Sequence, residues 1–458
     1  MRKVTRSKKR WVAAAMAALL ACSVFTGCSK GGNGGDDKVS KDGVVQLTLS
    51  SSYGNYGSQY LKELVKKFNN SQDEYFLTVP QGGSVETIHT KLLVSDPENY
   101  PSIICGKPTT IASYAEADYV APLQQFIDAD SEDITATMYP AVVASYSDKE
   151  GNIIGHPMGV SCNGYMVNED ILAKLGYTLD DLTSFEKIAN IATQAVKKGY
   201  CQYGISFSSS GTDFLDMMCM QGADCVDAGN GYTGDATKSV VLEGESYTAL
   251  KKATDIYAKL YKDKVALEYG YGSDCATIFR SNQILFWKCT NSSVHNMVDN
   301  SGGVKWAFIP SVGIDENAKF KGGVLSEGTG LFICNTGNEK EMQGAYEFVK
   351  FVNEAENQVY FEQNIGYIPY TTEAEVLYRE WSDVNFTSAS RMLKMFADTS
   401  SDLRLPYVPI SMELISAFGD LMSYVSADPS GDLDSYIQST SDRINDGIKI
   451  YAQREGDK

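Results

Sequence analysis

This sequence contains only three histidines, at positions 89, 156 and 295. None has a partner at metal-ligand spacing such as H-E-x-x-H, and neither a G-x-S-x-G turn for a nucleophilic serine nor a phosphate-binding P-loop occurs. Acidic pairs such as Glu132-Asp133 and Asp180-Asp181 are typical of solvated loops or helix starts. A hydrolytic carboxylate pair could still form from residues far apart in the chain. The residues therefore favour binding over catalysis, with a surface glycan-active enzyme as an alternative.

Acidic residues outnumber basic ones, 58 to 40, and the formal net charge is -18. This balance argues against nucleic acid as a partner, because its binding needs clustered Lys and Arg. The stretch Asp128-x-Asp130-x-x-Asp133 has the oxygen ligands of a calcium site but lacks the loop glycine and terminal glutamate of an EF-hand. We interpret it as a solvated acidic face, and we predict no bound metal and no cofactor.

Aromatic residues are abundant, with 28 Tyr, 18 Phe and 4 Trp. Aromatic rings stack on the apolar faces of sugars, while nearby hydroxyls and amides satisfy the sugar hydroxyls. Most of these rings are expected in the core, and Trp287, which follows Leu285 and Phe286, is predicted on a buried strand. The composition is compatible with a carbohydrate cleft.

The first 28 residues have the pattern of an export signal. Residues 1–10 carry six Lys/Arg and no acid, 11–25 are mostly apolar, and Thr26-Gly27-Cys28 follows. Small residues before a cysteine permit cleavage there and leave the thiol free to accept a lipid. We therefore predict lipid attachment at Cys28, a flexible Gly-rich linker over 29–43, and a protein tethered to the outer face of the membrane. An uncleaved anchor and a signal without lipid are alternatives.

Cysteines occur ten times, and Cys22 is a second candidate for lipid attachment. An exported chain could oxidise its thiols, but the spacing is irregular and a chain this long buries a core without disulfides. We expect mostly buried free thiols, with Cys219 and Cys225 as the pair close enough to form a disulfide.

Hydrophobic periodicity predicts an α/β fold. Residues 44–49 read as a strand, Leu61, Leu64, Val65 and Phe68 recur at helical spacing, and 75–79 read as the next strand. Strand, helix, strand is the repeating unit of a parallel sheet. Further elements are predicted as a strand over 101–104, helices over 112–117, 345–352 and 436–451, and a helix opened by the capping box Thr183-x-x-Glu186.

Longer stretches resemble a known family. Leu64-x-x-x-Phe68-Asn69, residues 154–172 (IGHPMGVSCNGYMVNEDIL) with 173–177, and 328–369 resemble the family 1 extracellular solute-binding proteins of ABC importers. The tetrapeptide 323–326 is similar to maltodextrin-binding members. Similarity to glycerol-3-phosphate-binding members runs through 102–122, 157–170, 279–293, 366–369 and 403–405. The likeness covers nearly all of the chain after the export signal.

The resemblance implies a two-lobed α/β fold that closes on its ligand by a hinge. The N-terminal lobe would comprise 44–155 and 322–364, and the C-terminal lobe 156–320 and 365–458. It also implies a monomer that delivers its ligand to the transmembrane subunits of an ABC permease. A surface adhesin without a permease is a further alternative.

The resemblance also implies binding residues. Ser161 matches a ligand-binding serine, Thr290 stands where a serine is usual, Gly328 matches a backbone contact, and Tyr367 matches the ring of a G-Y-x-P turn. Tyr53 is a further candidate, predicted from its position after the first strand and from its aromatic ring. Each has a structural alternative: Ser161 could satisfy a backbone group, Gly328 could be required by chain conformation, and Tyr367 could brace its turn.

Three positions depart from the glycerol-phosphate pattern. Val85 replaces a tyrosine, Pro108 replaces an acid that would bind glycerol hydroxyls, and Met412 stands where an arginine would hold the phosphate. Losing that arginine removes a strong charge-assisted contact, although Arg404 could replace it. The sequence thus predicts a binding protein for a mono- or oligosaccharide, with glycerol 3-phosphate or a glycerophosphodiester as the alternative ligand.

Overall fold

Two β-sheets form the framework of the chain, and helices pack around both. The computed structural model describes residues 43–80, 82–207, 210–268 and 273–456. The export signal, Cys22, Cys28 and most of the linker lie outside these residues. Within the described ranges, no helix combines the length and the apolar character needed to cross a bilayer.

The first sheet has six strands. They are β1 (Val45–Ser50), β2 (Tyr75–Thr78), β3 (Ile103–Gly106), β4 (Val120–Ala121), β5 (His156–Ser161) and β11 (Glu327–Cys334). Their order is β2-β1-β3-β11-β4, with β5 also paired to β11. β1 runs parallel to β2 and β3, and β11 runs antiparallel to β3, β4 and β5.

The second sheet has five strands. They are β6 (Asn163–Asn168), β7 (Tyr203–Phe207), β8 (Ala266–Glu268), β9 (Ile284–Thr290) and β10 (Trp306–Pro310). Their order is β10-β6-β9-β7-β8. β7 runs parallel to β8 and β9, and β6 runs antiparallel to β9 and β10.

Helices fill most connections and form the C-terminal part of the chain. In the described ranges they are α1 (Asn55–Ser71), α2 (Val85–Leu92), α3 (Ile111–Ala115), α4 (Gln124–Ala129), α5 (Pro140–Ser145), α6 (Glu169–Lys174), α7 (Phe185–Lys197), α8 (Thr212–Gln221), α9 (Asp227–Asn230), α10 (Gly244–Lys262), α11 (Ser273–Arg280), α12 (Val294–Asp299), α13 (Glu339–Asn353), α14 (Ala355–Ile365), α15 (Thr372–Asn385), α16 (Ala389–Asp398), α17 (Ser411–Ala427) and α18 (Leu433–Gly456).

The predicted β1-α1-β2 unit is confirmed. Leu61, Leu64, Val65 and Phe68 form one buried stripe of α1, which packs in the core of the first sheet. Burying such a stripe is what holds an amphipathic helix on a sheet. Trp287 is buried on β9, as expected.

The capping box predicted for α7 is wrong by one residue. The helix begins at Phe185, and the Ser184 hydroxyl accepts the hydrogen bond from the Lys187 amide. Thr183 instead donates to the Glu316 carboxylate at 2.5 Å. Glu186 pairs with Lys252 at 3.0 Å rather than reaching back to the cap.

The disulfide considered between Cys219 and Cys225 does not form, because both are buried free thiols in the core of the second sheet. All eight described cysteines are free, and all but Cys201 are buried. An apolar environment favours the uncharged thiol over the thiolate. Even at Cys201, which is only partly buried, burial raises the pKa to about 11.

The acidic stretch 128–133 is held by local partners. Asp128 accepts from Gln124 at 2.8 Å, Asp130 pairs with Lys350 at 2.9 Å, and Asp133 accepts from the Thr135 amide at 2.8 Å. In the described part of the chain, no group of three or more His, Cys, Asp or Glu is placed to hold a metal ion.

Candidate functional site

The two sheets meet where the chain crosses between them. β5 ends at Ser161 in the first sheet and β6 begins at Asn163 in the second, so Cys162 alone joins them. The ends of β1 and β3 and the start of β11 lie at the same edge as Ser161, and the ends of β9 and β10 lie beside Asn163. We call the edge at Ser161 the first crossover edge and the edge at Asn163 the second crossover edge. Ligands of open α/β sheets bind at such strand ends, where loops and backbone polar groups converge.

Two tyrosines meet at the first crossover edge. The Tyr53 ring packs edge-on against Phe361 at 5.4 Å between centroids, and its hydroxyl is buried without a hydrogen-bond partner. The Tyr367 hydroxyl lies 3.5 Å from Thr329 Oγ1. Burial raises the pKa of Tyr53, and the nearby Tyr367 adds to the shift. Both phenols therefore stay neutral and able to donate hydrogen bonds.

Ser161 is used within the protein. Its hydroxyl donates to Asn291 Oδ1 at 2.8 Å, and the same oxygen accepts from the Cys162 amide at 2.8 Å. Asn291 Nδ2 donates to the Gly366 carbonyl at 2.8 Å. Asn291 thus ties the one-residue crossover to the turn that presents Tyr367.

Gly328 has a conformational role. Its φ is +102°, and an added Cβ would lie 2.4 Å from the Gly159 carbonyl oxygen. A side chain there would be strained by both backbone torsion and contact. Thr290 ends β9 partly exposed, with Oγ1 2.6 Å from Ser292 Oγ.

A charged pair neutralises the first crossover edge. Lys107, directly after β3, binds the Glu327 carboxylate at 2.7 Å, and Glu327 lies opposite Ser161 in the strand register. Glu327 is nearly buried. A fully exposed ion pair contributes little to stability. Here the Glu327 carboxylate is largely shielded from water, and Lys107 compensates its charge.

A second charged group lies at the other crossover edge, and the sequence analysis missed it. Asp213 Oδ1 binds Lys288 Nζ at 2.9 Å, with both side chains almost fully buried. Asp216 Oδ2 accepts from Asn163 Nδ2 at 2.8 Å and from Ser326 Oγ at 3.0 Å. We call Asp213, Asp216 and Lys288 the acid–lysine cluster.

Burial governs the protonation of this cluster. It raises the pKa of Asp216 to about 8, against the opposing effect of Asn163 and Lys288. Burial also acts to lower the pKa of Lys288, but Asp213 raises it overall, so the lysine stays charged. The sequence did contain a signal for the cluster: two acids at i and i+3 interrupt α8, whose other buried residues include Phe214, Leu215, Met217 and Met218.

The positions that depart from the glycerol-phosphate pattern have different surroundings. Val85 is buried in the first turn of α2. Pro108 begins the turn after β3, and Met412 lies in the first turn of α17, which packs against that turn. Nearby, the Ser113 hydroxyl donates to the Pro409 carbonyl at 2.9 Å.

Arg404 lines two neighbouring cavities. One, of about 490 Å³, is lined by residues that include Met138, Ser147 and Asp148. The other, of about 20 Å³, is lined by residues that include Pro108 and Tyr232. The Arg404 guanidinium lies 4.1 Å from the Tyr232 ring centre, a cation–π contact, and its Nε is buried without a partner.

Sequence comparison matches residues 63–386 to the family model described as bacterial extracellular solute-binding protein. A curated relative is the sn-glycerol-3-phosphate-binding periplasmic protein UgpB of Brucella melitensis, 21% identical over 421 residues, covering 87% of this chain and 94% of the relative. The corresponding protein of Salmonella typhimurium is 23% identical over 358 residues, covering 72% and 75%.

Solved structures match nearly the whole chain. The cyclic alpha-maltosyl-1,6-maltose binding protein of Arthrobacter globiformis superposes with a TM-score of 0.69 at 15% identity, covering 89% of this chain and 100% of that one. The sugar-binding protein MalE of Xanthomonas citri gives a TM-score of 0.70 at 16% identity, covering 90% and 100%. These matches confirm the two-lobed α/β fold expected from the sequence.

Proposed function

This chain belongs to the bacterial extracellular solute-binding proteins, and on that basis we propose that it captures a mono- or oligosaccharide outside the cell and delivers it to an ABC permease. The resemblance noted in the sequence is thereby confirmed. Proteins of this family act outside the cytoplasm and bind solutes, so the chain is a binding protein and not an enzyme.

The observation that carries the proposal is the charge balance at the crossover edges. Lys107 is neutralised by Glu327, and Lys288 by Asp213. Phenol, hydroxyl and amide groups surround these pairs, as at Tyr53, Tyr367, Asn163 and Ser326. Such an arrangement suits a neutral, hydroxyl-rich ligand, because an anion would have to compete with the carboxylates already paired to the lysines. The sugar-binding proteins among the structural neighbours support the same class of ligand.

In this proposal, the ligand enters between two lobes that close by a hinge. The lobes are 44–155 with 322–364 and 156–320 with 365–458, except that 156–161 joins the first lobe because β5 pairs with β11 in the first sheet. Tyr53 and Tyr367 offer rings and phenol hydroxyls to the sugar. Ser161, Thr290 and the backbone at Gly328 complete the hydrogen bonds, with Ser161 exchanging its bond to Asn291 for one to the ligand. The protein acts as a monomer, tethered to the membrane through a lipid on Cys28.

A second candidate ligand is glycerol 3-phosphate or a glycerophosphodiester. The observation that favours it is Arg404, which lines both cavities and has a buried Nε without a partner. An arginine in that state suits an oxyanion, to which it donates paired hydrogen bonds. The names of the curated relatives support this candidate.

Titration calorimetry distinguishes the two ligands. The panel is glucose, galactose, maltose, maltotriose, cellobiose, sn-glycerol 3-phosphate and glycerophosphocholine. We expect a neutral sugar to bind with a Kd of about 1 μM, or about -8 kcal/mol, and Arg404→Ala to leave that Kd within about twofold. Heat from the phosphate compounds alone, lost in Arg404→Ala, would replace the sugar proposal with the phosphate one.

A further inference from the structure

The acid–lysine cluster contains two buried carboxylate oxygens that no group in the protein satisfies. Asp213 Oδ2 and Asp216 Oδ1 have no hydrogen-bond partner, although Asp213 is 3% and Asp216 0% exposed. An unsatisfied buried acceptor is costly, and a buried carboxylate more so. Each acid uses only its other oxygen within the protein, Asp213 on Lys288 and Asp216 on Asn163 and Ser326.

The acid–lysine cluster lies where the chain crosses between the two sheets, which is where we expect the ligand. Asp216 binds the first residue of β6 and a residue directly before β11, which are the two segments that cross between the sheets. Lys288 donates to Ser311 Oγ at 2.8 Å, just after β10. Asp213, Asp216 and Lys288 lie at the second crossover edge, across Cys162 from Ser161 and Glu327, and Ser326 reaches Asp216 from the segment just before β11.

We propose that Asp213 and Asp216 bind two adjacent hydroxyl groups of the ligand through Asp213 Oδ2 and Asp216 Oδ1. A carboxylate oxygen accepts a hydroxyl hydrogen bond well, and two carboxylates one helical turn apart lie on the same face of α8, so both can reach one small ligand. Lys288 and Ser311 hold Asp213 in place, while Asn163 and Ser326 hold Asp216.

The inference deepens the proposed function. It rests on one part of that function, namely that the cleft binds a ligand with adjacent hydroxyls. Sugars and glycerol compounds both contain a vicinal diol. The inference therefore applies whichever ligand class proves correct.

The test measures the Kd of the tightest-binding member of the panel above for the wild type, Asp216→Asn and Glu341→Gln. Asp216→Asn keeps an oxygen for Asn163 and Ser326 but replaces the unsatisfied oxygen by an NH₂ donor, and we expect the Kd to rise about tenfold or more. Glu341→Gln is the matched control, because it also exchanges a carboxyl for an amide, but this partly buried carboxyl accepts from Ser102 at 2.6 Å at the start of β3, the end of that strand opposite the first crossover edge. Its Kd should stay within about twofold.

The pH dependence of the wild-type Kd gives a readout that a structural role would not move. The titratable groups around Asp216 are Asp213 on the same helix, Lys288 on β9, and Cys162, Tyr165 and Cys219. The thiols and the phenol remain neutral because burial raises their pKa. A hydroxyl ligand that prefers the ionised Asp216 should bind about tenfold or more tightly at pH 9 than at pH 6.

An unchanged Kd in Asp216→Asn would overturn the inference while leaving the proposed function intact. A wild-type Kd that does not vary between pH 6 and pH 9 would also overturn it, and this measurement decides the matter should the variant not fold. If neither the sugars nor the glycerol compounds bind, both the proposed function and the inference fall.

Discussion

At the scale of the residue, Glu362 stands apart from the other carboxyls. It is 0% exposed, and neither of its oxygens has a hydrogen-bond partner. Burial raises its pKa well above the usual value. The folded protein therefore keeps this proton after the unfolded chain has lost it, so the group costs no stability below about pH 4 and reduces stability as pH rises above that value.

Glu362→Gln should remove this pH-dependent cost. We expect the free energy of unfolding at pH 7 to rise by about 1 kcal/mol, and the difference from the wild type to vanish near pH 4. Denaturant unfolding at the two pH values measures the change, with Glu380→Gln, an exposed glutamate in the interior of α15, as a control that should leave the free energy of unfolding unchanged at both. A Glu362→Gln protein less stable than the wild type at pH 7 would show that the carboxyl has a partner.

At the scale of the element, helix α7 shows what local sequence reasoning decides well and what it does not. The apolar periodicity located the helix, since burial of one stripe depends only on spacing along the chain. Glu316, which comes from a distant segment, accepts from both hydroxyls, from Thr183 at 2.5 Å and from Ser184 at 3.2 Å, but only the Ser184 oxygen accepts the Lys187 amide. Both residues are of cap-forming types, so residue type alone did not decide which one became the cap.

Ser184→Ala should lower the free energy of unfolding by about 1 kcal/mol, because it removes the acceptor for the Lys187 amide. Thr183→Ala is the matched control and should cost less than half as much, since it loses only an exposed bond to Glu316. Thermal unfolding of both variants is the measurement. A larger loss of stability in Thr183→Ala than in Ser184→Ala would instead support Thr183 as the cap, as predicted from the sequence.

At the scale of the whole molecule, the described body has two sheets that meet directly at a one-residue crossover. Ser113 in the first part of the chain donates to Pro409 far along it, so the sides are in contact beyond the crossover as well. Ligand capture would occur within this body, and the export signal would place it outside the membrane.

Lipid tethering is a prediction at this scale, because it concerns the whole exported protein. When the protein is expressed in a bacterium that lipidates exported proteins, we expect it in the detergent phase of a detergent extraction. The Cys28→Ala variant should move to the aqueous phase. Cys22→Ala is the control and should leave the partition unchanged. A Cys28→Ala protein that remains in the detergent phase would favour an uncleaved anchor.

The sequence alone determined the α/β class, the β1-α1-β2 unit and the family, because periodicity and motif order are properties of residues near one another in the chain. It named Ser161 and Gly328 but not their local roles, which depend on Asn291 and on the Gly159 carbonyl. Only the tertiary structure brought Asp216, Lys288 and Ser326 together. Their separation in the chain is large, and a contact between distant residues leaves no periodic trace in the sequence.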